Sequence, residues 1–178
     1  HIARAIQSCG MRTVVAQGFA DFATPDNPDH EKMMAVAERF AEFSQIHGND
    51  SFNLYNHGRG PWAQSWDMNN RGHDLQRSAK DCPVFNSENH LIRDGETRPI
   101  PPEHIRSTLW LAAMHGQSAT TIWVWDRTYD PHHDFAGSIM TRPLCVEAAG
   151  RTGLDLLRLG GMIRSIQGAP PAIGIFYS

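Results

Sequence analysis

The sequence has few cysteines and no long apolar run, which argues against disulfide-rich, cysteine-zinc and membrane-spanning classes of protein. Its 178 residues include 3 cysteines, at Cys9, Cys82 and Cys145, which are widely spaced and form no CxxC pair. This pattern predicts neither a disulfide framework nor a cysteine-based zinc site. No apolar run approaches the roughly 20 residues of a membrane span, so we expect no membrane partner.

The sequence also lacks an excess of basic charge and a glycine-rich nucleotide fingerprint. The formal net charge is -3, and the basic residues are scattered, so we expect no nucleic acid partner. No GxGxxG motif is present, which disfavours a dinucleotide-binding sheet. We expect neither a cofactor nor a metal ion. With 40% hydrophobic residues, the chain can form one sizeable core.

What the sequence does contain is a series of short apolar runs that alternate with longer helical patterns. Such alternation predicts parallel strands joined by helices. The predicted strands are residues 11–19, 51–57, 82–88 and 119–125. The predicted helices are residues 27–48, 62–80, 101–116 and 152–167. A Gly-Ala-Pro-Pro linker at 168–171 then predicts a boundary between a first domain, 1–168, and a second segment, 169–178.

Side-chain alternation within the predicted strands distinguishes two α/β architectures. One face of each strand is apolar, and the other becomes polar or aromatic toward the carboxyl end. The second face comprises Thr13, Val15, Gln17, Asn53, Tyr55, His57, Val84, Asn86, Glu88, Thr121, Trp123 and Trp125. A doubly wound sheet buries both faces, whereas a barrel packs its outer face on helices and carries its active site on the inner face. We therefore predict part of an eight-stranded barrel, in a chain that is a piece of a longer protein.

The most informative candidate is Glu88, which lies at the carboxyl end of the third predicted strand. By the alternation, Tyr55, His57, Trp123 and Trp125 lie on neighbouring strands of the same face. A carboxylate held by a phenol or imidazole and flanked by indoles is suited to attack on the anomeric carbon of a sugar. The indoles would stack on the apolar face of a pyranose.

Two amides near this carboxylate are further candidates. Asn86 and Asn89 flank Glu88 in the sequence, and their side chains could bind sugar hydroxyls. The plain alternative is that Glu88 is a loop or helix-capping glutamate on the surface, where glutamates are common. Spacing alone leaves both interpretations open.

A resemblance to a known family favours the first interpretation. The stretch from Pro83 to Ser178 contains PVFNSENHLI, PPEHIRSTLWLAAMHGQSATTIWVW, GRTGLDLLRLGGMIRSI and PPAIGIFYS. It resembles the end of the catalytic barrel of clan A retaining glycoside hydrolases, most closely the family 42 β-galactosidases. The resemblance implies that Glu88 is the nucleophile at the end of strand seven and that Trp125 ends strand eight. The fold class is then α/β, the C-terminal half (strands 5–8) of a (β/α)8 TIM barrel.

The resemblance also implies what lies outside this chain. In the family pattern the acid/base is the Glu of an Asn-Glu pair ending strand four, and no upstream strand here ends in that pair. We therefore expect the acid/base in preceding sequence, and we expect this fragment alone to be inactive. The terminal AIGIFYS resembles the first strand of a flavodoxin-like domain used in trimerisation. The terminal segment thus implies a homo-oligomer, such as a trimer. The resemblance as a whole implies a carbohydrate substrate.

Two other function classes remain as alternatives. A barrel that has lost catalysis would serve as a carbohydrate-binding or assembly module. A different barrel enzyme would use the loop around His132 and His133, which lie between Asp130 and Asp134, to bind a metal ion. The second alternative is disfavoured because adjacent residues seldom point at one ion.

Overall fold

The computed structural model describes six parts of the chain and the elements that they form. These parts are residues 14–15, 41–42, 44–55, 62–125, 138–170 and 172, with the backbone alone described at 14–15 and 62–68. The elements are β1 (Val14–Val15), β2 (Ile46–Phe52), α1 (Trp62–Ala79), β3 (Val84–His90), α2 (Pro102–Met114), β4 (Gln117–Trp123) and α3 (Pro143–Gln167). Ala41 and Glu42 are also helical.

The strands in the described part of the chain form one parallel sheet in the order β1-β2-β3-β4. Helix α1 connects β2 to β3, and α2 connects β3 to β4. Each strand thus pairs with the next strand along the chain, without the reversal of order that marks a doubly wound sheet. The fold is α/β, and its strand order fits part of an eight-stranded barrel.

Helix α2 shows why the local sequence forms the element that it does. Pro102 occupies the first turn, where the missing N–H costs nothing and the fixed φ suits a helix. Ile105, Leu109 and Ala112 repeat at helical spacing and are all buried. The helix ends before Gly116, whose φ of 104° lies in the left-handed region that glycine adopts without steric cost. The prediction of this helix is confirmed.

The apolar core lies among α2, α3 and the segment that follows β3. Leu91 and Ile92, directly after β3, are fully buried and belong to one apolar cluster with residues of both helices. The buried members of this cluster are Leu91, Ile92, Ile100, Ile105, Leu109, Ile139, Cys145, Ala148 and Ala149. Ile122 of β4 packs against the cluster, so the helices cover one side of the sheet and leave its other side for a site.

The position of β2 differs most from its prediction. The strand was predicted at 51–57 but occupies Ile46–Phe52, and the helix predicted to reach Gly48 is wrong there because Gly48 lies within β2. Glycine, asparagine and aspartate are depleted in strands, so the stretch HGNDS gave little indication of one. Its polar residues His47, Asn49 and Ser51 are nevertheless buried.

Three other boundaries shift, while helix α1 agrees with its prediction. Strand β3 is Val84–His90 rather than 82–88, and β4 is Gln117–Trp123 rather than 119–125. Helix α3 begins at Pro143 rather than Thr152, because its first turns bury small residues whose apolar periodicity is weak. Val14–Val15 confirms the first predicted strand at those two residues, and the rest of that strand and the start of the helix at 27 lie outside the described residues.

None of the helices in the described part of the chain carries an apolar stretch of the length that a bilayer crossing requires.

Candidate functional site

A bulge in β3 determines which side chains face the open side of the sheet. Asn86 pairs with Asn49 of β2, but Glu88 pairs with Asp50, so Ser87 is an extra residue with no partner across the ladder. The Ser87 hydroxyl donates to the Asn49 carbonyl at 3.2 Å. A bulge of this kind resets the alternation of the strand. The expectation that Asn86 and Glu88 share a face is therefore wrong.

The open side of the sheet carries a cluster of two carboxylates and one imidazole near the carboxyl ends of β2 and β3. His90 Nε2 lies 3.4 Å from Glu88 Oε1 and 3.5 Å from Asp50 Oδ1. The Glu88 side chain is 39% exposed and that of Asp50 is 29% exposed, whereas that of His90 is only 10% exposed. The carboxylates are thus accessible from solution, and the imidazole lies beneath them.

Two aromatic rings fix the imidazole in this position. Phe52 stacks on His90, with ring centroids 4.2 Å apart and planes inclined by 16°. Trp123 lies on the same side, with its ring centroid 5.7 Å from that of His90. These rings come from β2 and β4, the strands on either side of β3. The cluster is therefore positioned by three adjacent strands.

The helix-covered side of the same sheet carries a network of buried amides instead. Asn49 Nδ2 donates to Gln76 Oε1 of α1 at 2.8 Å and lies 3.0 Å from His73 Nδ1. Gln76 Nε2 in turn donates to the Gly48 carbonyl at 2.9 Å. These bonds tie β2 to α1 through polar groups.

The network continues across β3 to β4. Asn89 accepts a hydrogen bond from Asn53 at 2.9 Å and donates to Thr120 at 3.2 Å. Asn86 donates to the Ser51 hydroxyl. Both Asn86 and Asn89 are fully buried, so the structure places these two predicted sugar-binding amides on the opposite side of the sheet from the Glu88 carboxylate.

Burial within this network suppresses protonation of its histidines. Desolvation, together with the charge of nearby His115, lowers the pKa of His73 from 6.5 to about 4. Desolvation also lowers the pKa of His47, although a hydrogen bond to the Lys80 backbone acts against this shift. The helix-covered side therefore favours uncharged imidazoles.

The other predicted site residues fall in different places. Tyr55 packs against the apolar core, with its ring 5.3 Å from that of His104. Trp125 lies beyond the end of β4 and is 46% exposed, with its carbonyl accepting a hydrogen bond from Ser138. His57 and the loop around His132 and His133 lie outside the described residues. Trp123 is thus the predicted partner that the structure brings closest to the Glu88 cluster.

Asp50, Phe52 and His90 belong to the cluster but were not predicted. Asp50 was missed because β2 was placed too late in the sequence. His90 follows Glu88 by two residues, the spacing of same-face neighbours on a strand, and this could have indicated it once β3 was extended to residue 90.

Comparisons with known proteins give one partial match. No protein-family model matches the chain, and no curated protein matches it. Among solved structures, the chain is similar to the crystal structure of an apo exo-carrageenase of family GH42 from Bacteroides ovatus, with a TM-score of 0.59 and 27% sequence identity. The match covers 75% of this chain and 20% of that one, so the chain spans about a fifth of that protein's length. The matched part has a glycoside hydrolase-like fold.

Proposed function

We propose that this chain forms strands five to eight of the catalytic barrel of a retaining glycoside hydrolase. The observation that carries the proposal is the position of Glu88, a partly exposed carboxylate at the carboxyl end of β3 with Trp123 nearby on the same side. The likeness to a GH42 enzyme supports the class, and active sites of such barrels lie at the carboxyl ends of their strands.

In the proposed mechanism Glu88 is the nucleophile. Its carboxylate attacks the anomeric carbon, the leaving-group oxygen takes a proton from a second carboxyl group, and water then hydrolyses the glycosyl-enzyme ester. The second carboxyl group has to lie about 5 to 5.5 Å from the first, and we place it in sequence outside this chain. His90, at 3.4 Å from Glu88, would orient the nucleophile.

The substrate in this proposal is a β-galactoside. The indole of Trp123, and that of Trp125 beyond the strand end, would stack on the sugar ring. Because the similar structure is an exo-carrageenase, carrageenan oligosaccharides are the second substrate to test. We further propose that residues 169–178 begin a flavodoxin-like domain and that the whole protein is a homo-oligomer.

The test is turnover of an aryl β-galactoside and of carrageenan oligosaccharides by the full-length protein. We expect Glu88→Gln to lower kcat by at least about 1000-fold, because a neutral amide cannot form the glycosyl ester. Glu147→Gln is the matched control, since Glu147 is an exposed glutamate on α3 paired with Arg151, and its activity should equal that of the wild type.

Chemical rescue distinguishes a nucleophile from a residue that merely supports the site. With Glu88→Ala, added azide should attack the anomeric carbon from the vacated side and give a glycosyl azide of inverted configuration. Unchanged turnover in Glu88→Gln would refute the assignment. Sugar binding without any turnover by the wild-type protein would instead favour a carbohydrate-binding module.

A further inference from the structure

The Asp50, Glu88 and His90 cluster has a second chemical property, which goes beyond the proposed hydrolase activity. We propose that these three residues bind a divalent transition-metal ion of the zinc type. The ligands would be Nε2 of His90 and one oxygen from each carboxylate. These three atoms all lie within 4.8 Å of one another.

The spacing of the three atoms fits such an ion. Zinc binds imidazole nitrogen and carboxylate oxygen at about 2.0 to 2.2 Å, so two ligands at the corners of a tetrahedron lie about 3.3 to 3.6 Å apart. The His90 nitrogen lies 3.4 Å from Glu88 Oε1 and 3.5 Å from Asp50 Oδ1. The separation of the imidazole from each carboxylate therefore suits an ion bound between them.

The His90 ring gives an independent reason to expect a ligand. Its side chain is nine-tenths buried, and Nε2 has no hydrogen-bond partner within the described part of the chain. A buried polar atom without a partner is unfavourable. Phe52 stacks on the ring and keeps Nε2 directed at the two carboxylates, so a cation there would give Nε2 a partner.

The donor set indicates which ion is favoured. Imidazole is a suitable ligand for zinc, copper and nickel, whereas magnesium and calcium prefer oxygen ligands alone. Three protein ligands leave a fourth tetrahedral position open to water. Since Glu88 is also the proposed nucleophile, an ion held by its carboxylate would block attack on a sugar, and zinc should inhibit turnover.

Metal binding tests this inference without any activity assay. The full-length protein is titrated with zinc chloride in the presence of excess magnesium, and the heat of binding is measured by calorimetry. We expect one zinc site that depends on the cluster. We expect His90→Gln and Asp50→Asn each to weaken zinc binding at least tenfold. Cobalt bound at the same site should give the visible absorption of a tetrahedral complex, and this absorption should be lost in both variants.

The matched control is His115→Gln, because His115 is a half-exposed histidine 2.8 Å from Asp74 and lies outside the cluster. It should bind zinc as the wild type does. Circular dichroism checks folding, and Asp50→Asn, a partly exposed isosteric change, keeps the test valid if His90→Gln does not fold. Equal zinc affinity in all variants would overturn the proposal, because binding would then occur at other histidines among the ten in the chain.

Failure of this inference can be separated from failure of the proposed function. If Glu88→Gln abolishes turnover but the wild-type protein binds no zinc, only the metal-site proposal is refuted. If the wild-type protein binds zinc in a way that requires His90 but shows no turnover, only the hydrolase proposal is refuted.

Discussion

The two sides of the sheet contain polar groups of opposite kinds. On the helix-covered side, the buried amide of Asn49 bonds to α1, and those of Asn53 and Asn89 bond to each other and to β4. On the open side, Asp50 and Glu88 are partly exposed carboxylates around a single buried imidazole. Neutral groups can satisfy one another away from water, whereas charges need solvent or a ligand. The difference teaches that polar residues of this sheet are paired with one another on the helix-covered side and are left partly exposed on the open side.

Asn89 and Glu88, which are adjacent in β3, give the most direct test of this difference between the two sides of the sheet. Asn89→Ala should lower the free energy of unfolding by about 3 to 4 kcal/mol, because it strands the Asn53 amide and the Thr120 hydroxyl and leaves a small cavity. Urea unfolding of the full-length protein measures the effect. A loss below about 1 kcal/mol would mean that the network contributes little to stability.

The pH dependence of stability should also arise on the helix-covered side. Folded His73 has a pKa of about 4 instead of 6.5, so as pH falls below 6.5 the unfolded chain gains a proton before the folded chain does. Its contribution is therefore fully favourable above pH 6.5, is lost progressively down to pH 4 and is constant below that. The loss amounts to at most about 3 kcal/mol.

The matched variant for this pH effect is His73→Gln. Its free energy of unfolding should fall less steeply than that of the wild type between pH 6.5 and pH 4. Part of the slope should remain, because the pKa of His47 is also lowered by burial. Equal slopes in the two proteins would contradict the assignment to His73.

The smallest expected effect on stability is on the open side. Glu88→Gln should change the free energy of unfolding by less than about 0.5 kcal/mol, and in the stabilising direction if it changes at all. The reason is that the Glu88 carboxylate is partly solvated and lies near the like charge of Asp50. Thermal unfolding beside Asn89→Ala checks this. A large destabilisation by Glu88→Gln would show that the carboxylate is structural.

The sequence allowed the helices to be predicted better than the strands, for a physical reason. Helix α2 has its start in Pro102, its end at Gly116 and a clear apolar face between them, and each of these features is local. Strand β2 has none of them, because Asn49 and Asp50 become strand residues through partners on α1 and β3. Those partners are distant in sequence and could not be inferred from it.

The candidate site was predicted in part, from the position of Glu88 and Trp123. Alternation along a strand predicts the face on which each side chain lies only while the pairing with its neighbour is regular. The extra residue Ser87 cannot be recognised from sequence periodicity. For this reason Asn86 was expected beside Glu88. Asp50 and His90 were missed for a different reason, because β2 was placed too late in the sequence and β3 was ended at residue 88. The resemblance to glycoside hydrolases pointed to Glu88, and the structure identified the residues around it.

The unpaired serine of β3 has an evolutionary consequence. A lineage that deleted Ser87 would restore regular pairing of Asn86, Glu88 and Asn89 with three consecutive residues of β2, and each side chain would keep the face that it has now. The inserted residue therefore sets neither orientation, and what it adds is the hydrogen bond from its hydroxyl to the Asn49 carbonyl. Relatives that align across this position with a one-residue gap should keep both the buried amide and the exposed carboxylate, and lack only that bond.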